Sequence, residues 1–379
     1  MNIIVVIIIV LLNIYFISSR WEKENRIQGI LYIVLFFIHL STTILFYNLN
    51  YQSKMDSYMF FNDAEHIKSI YHLRFVGSKF MSSLMFPFIK LGLNYLTCTM
   101  IFSTLGFYTF LKYIDFIKLK IEKHKSVYTY FLFILFFIPS LHYWTSGISK
   151  ETLIFFLMFV FFNKVFTRNY MSIQLILALL IIFLVRPYIG FIMIASLYLH
   201  LIFLRRTLNS KTKNFVILML IISILFLPAL KYFLKIDSLN VQTIINNYNQ
   251  IIIYSQSTGN SSIDLESSTF LGRIWLVMFR PLFYDSNNIF QFIISIENLI
   301  YLVIVSFLCV KLLMRRINFK LNYLYLFLCF SITVLFYSIY MYNLGLASRM
   351  RIMFMPYFLT FIIISCIGTK VQIKSKEVN

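Results

Sequence analysis

The sequence is poor in charged residues, glycine and cysteine, and each shortage excludes a class of protein. Charged residues make up 13% of the 379 residues, where a soluble domain has about a quarter, so a soluble enzyme or a disordered chain is poorly supported. The ten glycines include no GxxxxGK[ST] pattern, so no phosphate-binding loop of that type is expected. The four cysteines lie in apolar stretches without a CxxC spacing, which indicates neither a disulfide framework nor a thiolate metal site.

Apolar residues dominate what remains, with 60% of the chain hydrophobic and 19% aromatic. The net charge of +20 comes from basic residues spread along an apolar chain, which is typical of membrane topology rather than of nucleic-acid binding. A membrane-spanning helix needs about 20 apolar residues. Stretches of this kind predict an all-α polytopic integral membrane protein with about eleven spans, near 2–18, 28–47, 94–114, 126–142, 152–167, 172–186, 187–204, 214–234, 290–310, 321–341 and 351–367.

The charge of the connecting segments predicts the orientation. Short loops rich in lysine and arginine stay cytoplasmic, and such loops lie near 20–26, 118–125, 164–168, 205–213, 311–320 and 370–376. The longer, mixed segments 48–93, 143–151, 235–289 and 342–350 are expected to face outward. This places the N-terminus outside and the C-terminus inside, in a single membrane domain over 1–379. The outer loops 48–93 and 235–289 are the main parts of the chain that are expected to lie outside the membrane. Within the first of them, 77–92 is expected to be an interfacial helix.

The stretch 172–204 allows two interpretations, because Arg186 and Pro187 stand in its middle. One kinked helix would move the following basic loops to the outside, whereas two short spans keep every basic loop inside. We favour two spans. Their shortness would leave Arg186 at a thinned interface or in a polar cavity.

Six arginines fall on the predicted outer side, where positively charged residues are disfavoured. The guanidinium group binds phosphate through two parallel hydrogen bonds and stays charged at any relevant pH. Several arginines near the outer interface would therefore suit the diphosphate head group of a lipid. The alternative is that each pairs with a nearby acid or a lipid phosphate. These residues are Arg74, Arg186, Arg273, Arg280, Arg349 and Arg351.

Acidic residues on the same side are candidates for catalysis. Lys150 and Glu151 begin a helix, where the helix dipole favours the glutamate but not the lysine, so the lysine hints at an anionic partner. A plain Lys–Glu pair is the alternative. Glu297 falls a turn or two inside the ninth span and would need a partner or solvent, with a structural salt bridge as the alternative.

Asp56 and Asp63 are seven residues apart, which would place both on one side of a helix. Either carboxylate could serve as a general base toward a sugar hydroxyl, or both could be solvated loop acids. A metal site with His66 has no convincing ligand spacing. His142 and Trp144 are expected to be interfacial belt residues.

Four short motifs carry a family resemblance. The segments PSLHYWTSGISKE, VRPYIGF, MFRPLFYDSNN with ISIENL, and GLASRMRIMFMP resemble bacterial Wzy-like polysaccharide polymerases of capsule and exopolysaccharide clusters, over roughly 50–367. The resemblance implies a plasma-membrane glycosyltransferase that polymerises undecaprenyl-diphosphate-linked oligosaccharide repeat units on the outer leaflet. It implies other capsule-assembly membrane proteins as partners, and no cofactor or metal is expected.

The same motifs imply the site. Lys150, Arg186, Arg280, Arg349 and Arg351 match positions that are interpreted as diphosphate binding and leaving-group stabilisation, with Asp56, Asp63, Glu151 and Glu297 as the catalytic candidates. The chain departs from some polymerases in having only a moderate central outer loop, 235–289. Two other functions stay open: a polyprenyl-phosphate-dependent transferase of single sugars, and a flippase or transporter of lipid-linked oligosaccharides. A transporter usually shows internal repeats, Gly/Pro-broken helices and charges at mid-membrane depth. Here glycine is scarce, no repeat is visible and the charges lie at the outer ends.

Overall fold

The structure is a computed structural model that describes residues 1–22, 26–120, 135–203, 210–234, 240–257, 262–314 and 323–367. Within these ranges the chain is helical, and the isolated bridge between Ser262 and Asn343 is its sole β pairing. The predicted all-α class is therefore confirmed. The described helices group into two compact units, the first ending at Arg186 and the second beginning at Pro187. The prediction of one membrane domain over 1–379 stays a prediction.

The first unit holds eight helices of the described chain. They are α1 (Asn2–Trp21), α2 (Arg26–Gln52), α3 (Asp56–Glu65), α4 (Ser78–Lys90), α5 (Tyr95–Lys118), α6 (Pro139–Trp144), α7 (Lys150–Phe166) and α8 (Ile173–Val185). Side chains accept hydrogen bonds from backbone N–H groups at three N-termini, with Asn94 capping α5, Ser149 capping α7 and Ser172 capping α8. These caps satisfy amides that a helix leaves unpaired, which is why the helices begin there.

Helix α5 lies at the centre of the first unit and contacts α1, α2 and α7. Helices α3 and α4 pack on each other and form an apolar cluster with the start of α5, in which Phe60, Met81, Met85 and Tyr95 are buried. Helix α4 coincides with the predicted interfacial helix 77–92.

The second unit begins where Pro187 ends α8, because proline supplies no amide to continue the preceding helix. Its helices are α9 (Pro187–Phe203), α10 (Ser210–Leu225), α11 (Leu227–Leu234), α12 (Val241–Ser257), α13 (Phe270–Phe279), α14 (Ile289–Leu313), α15 (Leu324–Tyr340), α16 (Leu344–Met350) and α17 (Met355–Ile367). Helix α15 contacts α9, α13 and α17 and lies at the centre of this unit.

Length and composition allow four described helices to cross a membrane. These are Asn2–Trp21, Arg26–Gln52, Tyr95–Lys118 and Ile289–Phe307, and the bent pair Leu344–Met353 with Met355–Ser365 adds a fifth if it forms one span. Large apolar side chains of α1, such as Ile3, Ile7 and Leu11, are exposed, as expected for a helix that faces lipid. The chain is therefore an all-α protein with the helices of a multi-pass membrane protein.

Eleven spans and their orientation stay predictions. Helices α8 and α9 separate at Arg186, as the favoured interpretation of 172–204 requires, but each is shorter than a usual span. The predicted span 214–234 is divided into α10 and α11 at Phe226. Most of the predicted span 126–142 and most of the basic loops lie outside the described residues.

Candidate functional site

A buried ion pair joins the start of α7 to the end of α8. The guanidinium of Arg186 donates to Oε1 of Glu151. Glu151 is fully buried, and Arg186 is 6% exposed. Arg186 lies at the break before Pro187, and Glu151 lies in the first turn of α7, where the positive end of the helix favours a carboxylate. The pair therefore fixes the end of α8 against the start of α7.

Lys150 brings the starts of two helices together. Its Nζ donates to Oγ of Ser78, the first residue of α4, over 2.7 Å, and lies 5.8 Å from the centre of the Phe60 ring. The amide of Gly77 donates to the carbonyl of Leu184 over 2.8 Å, which holds the start of α4 at the end of α8. The starts of α4 and α7 and an ammonium group thus lie near the carbonyl end of α8. The ammonium group and the two helix starts favour an anion, and the end of α8 opposes it in part. We call Ser78, Lys150, Glu151 and Arg186 the Lys150 site.

The two aspartates of α3 lie on its exposed face. Asp56 and Asp63 are both exposed, whereas Ser57 and Phe60 of the same helix are buried. Both aspartates thus belong to the helix that supplies Phe60 to the Lys150 site. Among the described residues, neither aspartate forms part of a group of three side chains that could hold a metal ion with His66.

Arg280 is held by an acid five residues further on. Its Nε donates to Oδ2 of Asp285 over 3.0 Å, and its Nη2 donates to Oδ1 of the same carboxylate. Oδ2 of Asp285 also accepts from the amide of Leu282 over 2.8 Å. The hydrogen bonds that Arg280 donates to Asp285 raise the pKa of Arg280 above its ordinary value, so the guanidinium stays charged. The guanidinium N–H groups of Arg280 were expected to bind a diphosphate, and here two of them donate to a carboxylate.

Arg351 is the most buried of the candidate arginines, with 1% of it exposed. Its Nε donates to the carbonyl of Val277 over 3.2 Å, and its two terminal nitrogens donate to Oδ1 of Asn298 and to the carbonyl of Arg280. The carbonyls belong to the end of α13, where a helix leaves such groups unpaired. Arg351 therefore closes the C-terminus of α13 and fixes the backbone of Arg280. We call Arg280, Asp285, Asn298 and Arg351 the Arg280 site.

Glu297 and Arg349 complete the predicted set. Glu297 is buried in the third turn of α14, within electrostatic range of Arg351 and Tyr301. Arg349 is half-buried near the end of α16, two residues from Arg351. The structure therefore assembles the predicted residues into two groups, one within each unit.

Several residues of these groups were missed from the sequence. Ser78 has no distinguishing motif, and Asn298 stands in an apolar run. Asp285 lies in the segment 235–289, and its position five residues after Arg280 across a proline is the signal that could have identified the pair.

One sequence interpretation is wrong. His142 is fully buried rather than a residue of the interfacial belt, and its ring contacts His39. Arg273 lies in α13, within the segment 235–289 that is predicted to face outward, and it donates to Tyr248, Ser268 and the carbonyl of Leu265.

A cavity of about 540 Å³ lies between α5, α7 and α8, with Tyr108, Lys112, Lys164 and Gln174 in its lining. Lys164 is near the C-terminal end of α7, whereas Lys150 is its first residue. At a rise of about 1.5 Å per residue, the two lysines are separated by roughly 20 Å along the helix. The cavity therefore does not belong to the Lys150 site.

Comparisons with known proteins assign no relative. No protein-family model, no curated protein and no solved structure matches the chain.

Proposed function

We propose that the chain polymerises polyprenyl-diphosphate-linked oligosaccharide repeat units on the outer leaflet of the bacterial plasma membrane, in capsular or exopolysaccharide biosynthesis. One observation supports this proposal more than any other. Each unit carries its own cluster of cations and acids at helix ends, built around Lys150 in the first and Arg280 in the second. A polymerase binds two lipid-linked substrates, a donor and an acceptor, and so needs two places for an anionic head group.

The Lys150 site offers a phosphate one ammonium group at the start of α7, where the positive end of the helix adds to its charge. Lys150 is already directed at the hydroxyl of Ser78, the first residue of α4. The buried Glu151–Arg186 pair holds the start of α7 in position beneath it. A phosphate oxygen can take the place of the Ser78 hydroxyl at Nζ, because an ammonium group attracts an anionic oxygen more strongly than a neutral hydroxyl.

Asp56 and Asp63 are better general bases than the two glutamates. A base must reach the sugar hydroxyl, and both aspartates are exposed. Glu151 is engaged by Arg186, and Glu297 is buried. In the proposed reaction the acceptor hydroxyl oxygen bonds to the anomeric carbon of the donor. The bond from that carbon to the diphosphate breaks, the carboxylate takes the hydroxyl proton, and cations stabilise the departing diphosphate.

Deletion of the gene tests the class of activity. A strain without the protein should retain single, complete, lipid-linked repeat units and lose long chains. Incomplete repeat units would instead identify a transferase of single sugars, for which the exposed aspartates of α3 are the supporting observation. Complete units confined to the cytoplasmic leaflet would identify a flippase.

Variants of Lys150 test the proposed site in the deletion strain. Lys150→Ala should lose most of the polymer at normal membrane levels, and Lys150→Arg should retain part of it, because arginine keeps the charge. Lys90→Ala is the matched control, since Lys90 also ends near an aromatic ring, 5.3 Å from the centre of Phe86, but at the other end of α4. Full-length polymer from Lys150→Ala would exclude phosphate binding at this lysine.

A further inference from the structure

Two buried histidines contact each other inside the first unit, apart from both candidate sites. Nδ1 of His39, on α2, lies 2.9 Å from Nδ1 of His142, on α6. The two residues are 1% and 0% exposed. Such a distance between ring nitrogens is that of a hydrogen bond, which requires one proton between them.

The other nitrogen of each ring faces a carbonyl oxygen. Nε2 of His39 lies 2.9 Å from the carbonyl of Ser103, and Nε2 of His142 lies 2.7 Å from the carbonyl of Phe136. A carbonyl oxygen only accepts, so each Nε2 must carry a hydrogen. A neutral imidazole has a single N–H, and here that hydrogen is already used at Nε2.

Two neutral rings would therefore point their Nδ1 lone pairs at each other over 2.9 Å. Moving one hydrogen from Nε2 to Nδ1 does not help, because a bare Nε2 would then face a carbonyl oxygen. The three contacts need three N–H groups, and two neutral histidines supply only two. From this count we infer that His39 and His142 form a proton-binding site, which holds one shared proton between the two Nδ1 atoms.

Burial opposes a positive charge at this place, and several groups offset that cost. The two carbonyls accept charge-assisted hydrogen bonds from the Nε2–H groups. The ring of Phe110 on α5 lies 4.2 Å from the His142 ring at an interplanar angle of 30°, and the ring of Phe107 lies 5.7 Å from that of His39. Aromatic faces at such distances attract a cation. The charge is also spread over two imidazoles.

The surroundings contain hydroxyls and phenyl rings in place of a counter-ion. Helix α5 presents Ser103 with the two phenylalanines, and α7 presents Phe155, which packs on Phe110 at 4.9 Å. On the α6 side, Ser146 shares a hydrogen bond with Thr42 of α2. Two tyrosines lie near the pair: Tyr113 of α5 stacks on Phe155 at 5.3 Å, and Tyr143 follows His142 in α6.

The shared proton connects α2 to α6, and α6 leads into the turn before Lys150. Loss of the proton would leave two lone pairs in contact, so that one ring must rotate away. The inference does not rest on the proposed function, because it follows from the hydrogen-bond geometry alone.

The experiment is magic-angle-spinning NMR of the full chain, labelled with ¹⁵N-histidine, in lipid bilayers near neutral pH. Of the six labelled histidines, one doubly protonated ring and one singly protonated ring should show a ¹⁵N–¹⁵N coupling to each other across the shared proton. The coupling should vanish in His39→Asn and in His142→Asn. It should persist in His200→Asn, which alters a buried histidine of the second unit.

His39→Asn is designed to preserve the fold, because the asparagine amide can donate to His142 without adding a charge. Two neutral imidazoles without mutual coupling in the wild-type protein would overturn the inference. That result would mean that one ring is turned about its Cβ–Cγ bond, with a carbon at the contact. The measurement on the wild-type protein decides this even if a variant does not fold.

Discussion

At the residue scale, burial distinguishes two arginines that the sequence presents alike. Arg280 retains an exposed fraction of its side chain, 24%, beside Asp285. Arg351 is enclosed and bonded to two carbonyls and an amide oxygen. A partly exposed cation remains able to meet a ligand, whereas an enclosed cation stabilises its surroundings. Arg280 is therefore a binding candidate and Arg351 a positioning residue.

This difference predicts opposite outcomes for two matched substitutions. Arg351→Lys keeps the charge but removes the planar guanidinium group. Two or more buried hydrogen bonds are then lost, which lowers the free energy of unfolding by an amount on the order of 3 kcal/mol. We expect a lower melting temperature in detergent and a reduced membrane level. Arg280→Lys should keep a normal membrane level and lose most of the polymer.

The two variants control for each other, because the substitution is the same and the burial differs. Normal levels together with full-length polymer from Arg280→Lys would exclude bidentate recognition at this position. An unchanged melting temperature for Arg351→Lys would contradict its role in closing α13.

At the element scale, a glycine allows α5 to approach the turn after α6. A Cβ atom on Gly106 would lie 2.1 Å from the carbonyl oxygen of Thr145. The turn carries the segment between His142 and Lys150, so this approach helps to place the first residue of α7. The neighbouring Gly147 is similarly enclosed, since its Cβ would lie 2.4 Å from the Phe46 ring.

We expect Gly106→Ala to destabilise the protein, because a backbone carbonyl cannot move aside as a side chain can. Overpacking of this kind costs about 1–3 kcal/mol. Thermal unfolding in detergent measures the effect. Gly272→Ala is the control, since its Cβ would meet the Thr269 hydroxyl at 3.2 Å. Equal melting temperatures for the two variants would show that the turn adjusts freely.

At the scale of the whole molecule, the orientation in the membrane is open to a direct test. Single cysteines in 119–125, 205–213 and 312–320 should resist an impermeant thiol reagent in intact cells, because short basic loops are not translocated. Ser262→Cys should react, since this residue is assigned to the outer segment 235–289. The four native cysteines are first replaced by serine, so that only the introduced cysteine can react.

Lysis of the cells supplies the control, because the protected cysteines should then react as well. Labelling of 205–213 from outside would contradict the interpretation of 172–204 as two spans. The Lys150 site would then need a new assignment to one side of the membrane.

The helices themselves were largely predictable from the sequence. Apolar runs and the proline at 187 predicted α1, α2, α5 and the division between α8 and α9, and the structure has them within a few residues. Periodicity and proline act locally, so a linear pattern is enough to predict them. The division of the predicted span 214–234 at Phe226 was not predicted, since no proline or charge marks it.

The partners of the polar residues were not predictable in the same way. The sequence by itself determined that this is an apolar, helical chain whose charged residues lie mostly between its apolar runs. Only the tertiary structure decided that Arg186 pairs with Glu151, that Lys150 meets Ser78 and that His39 meets His142. Those contacts join residues 35 to 103 positions apart. The packing of helices decides them, because desolvated polar groups must find partners wherever the fold brings them together.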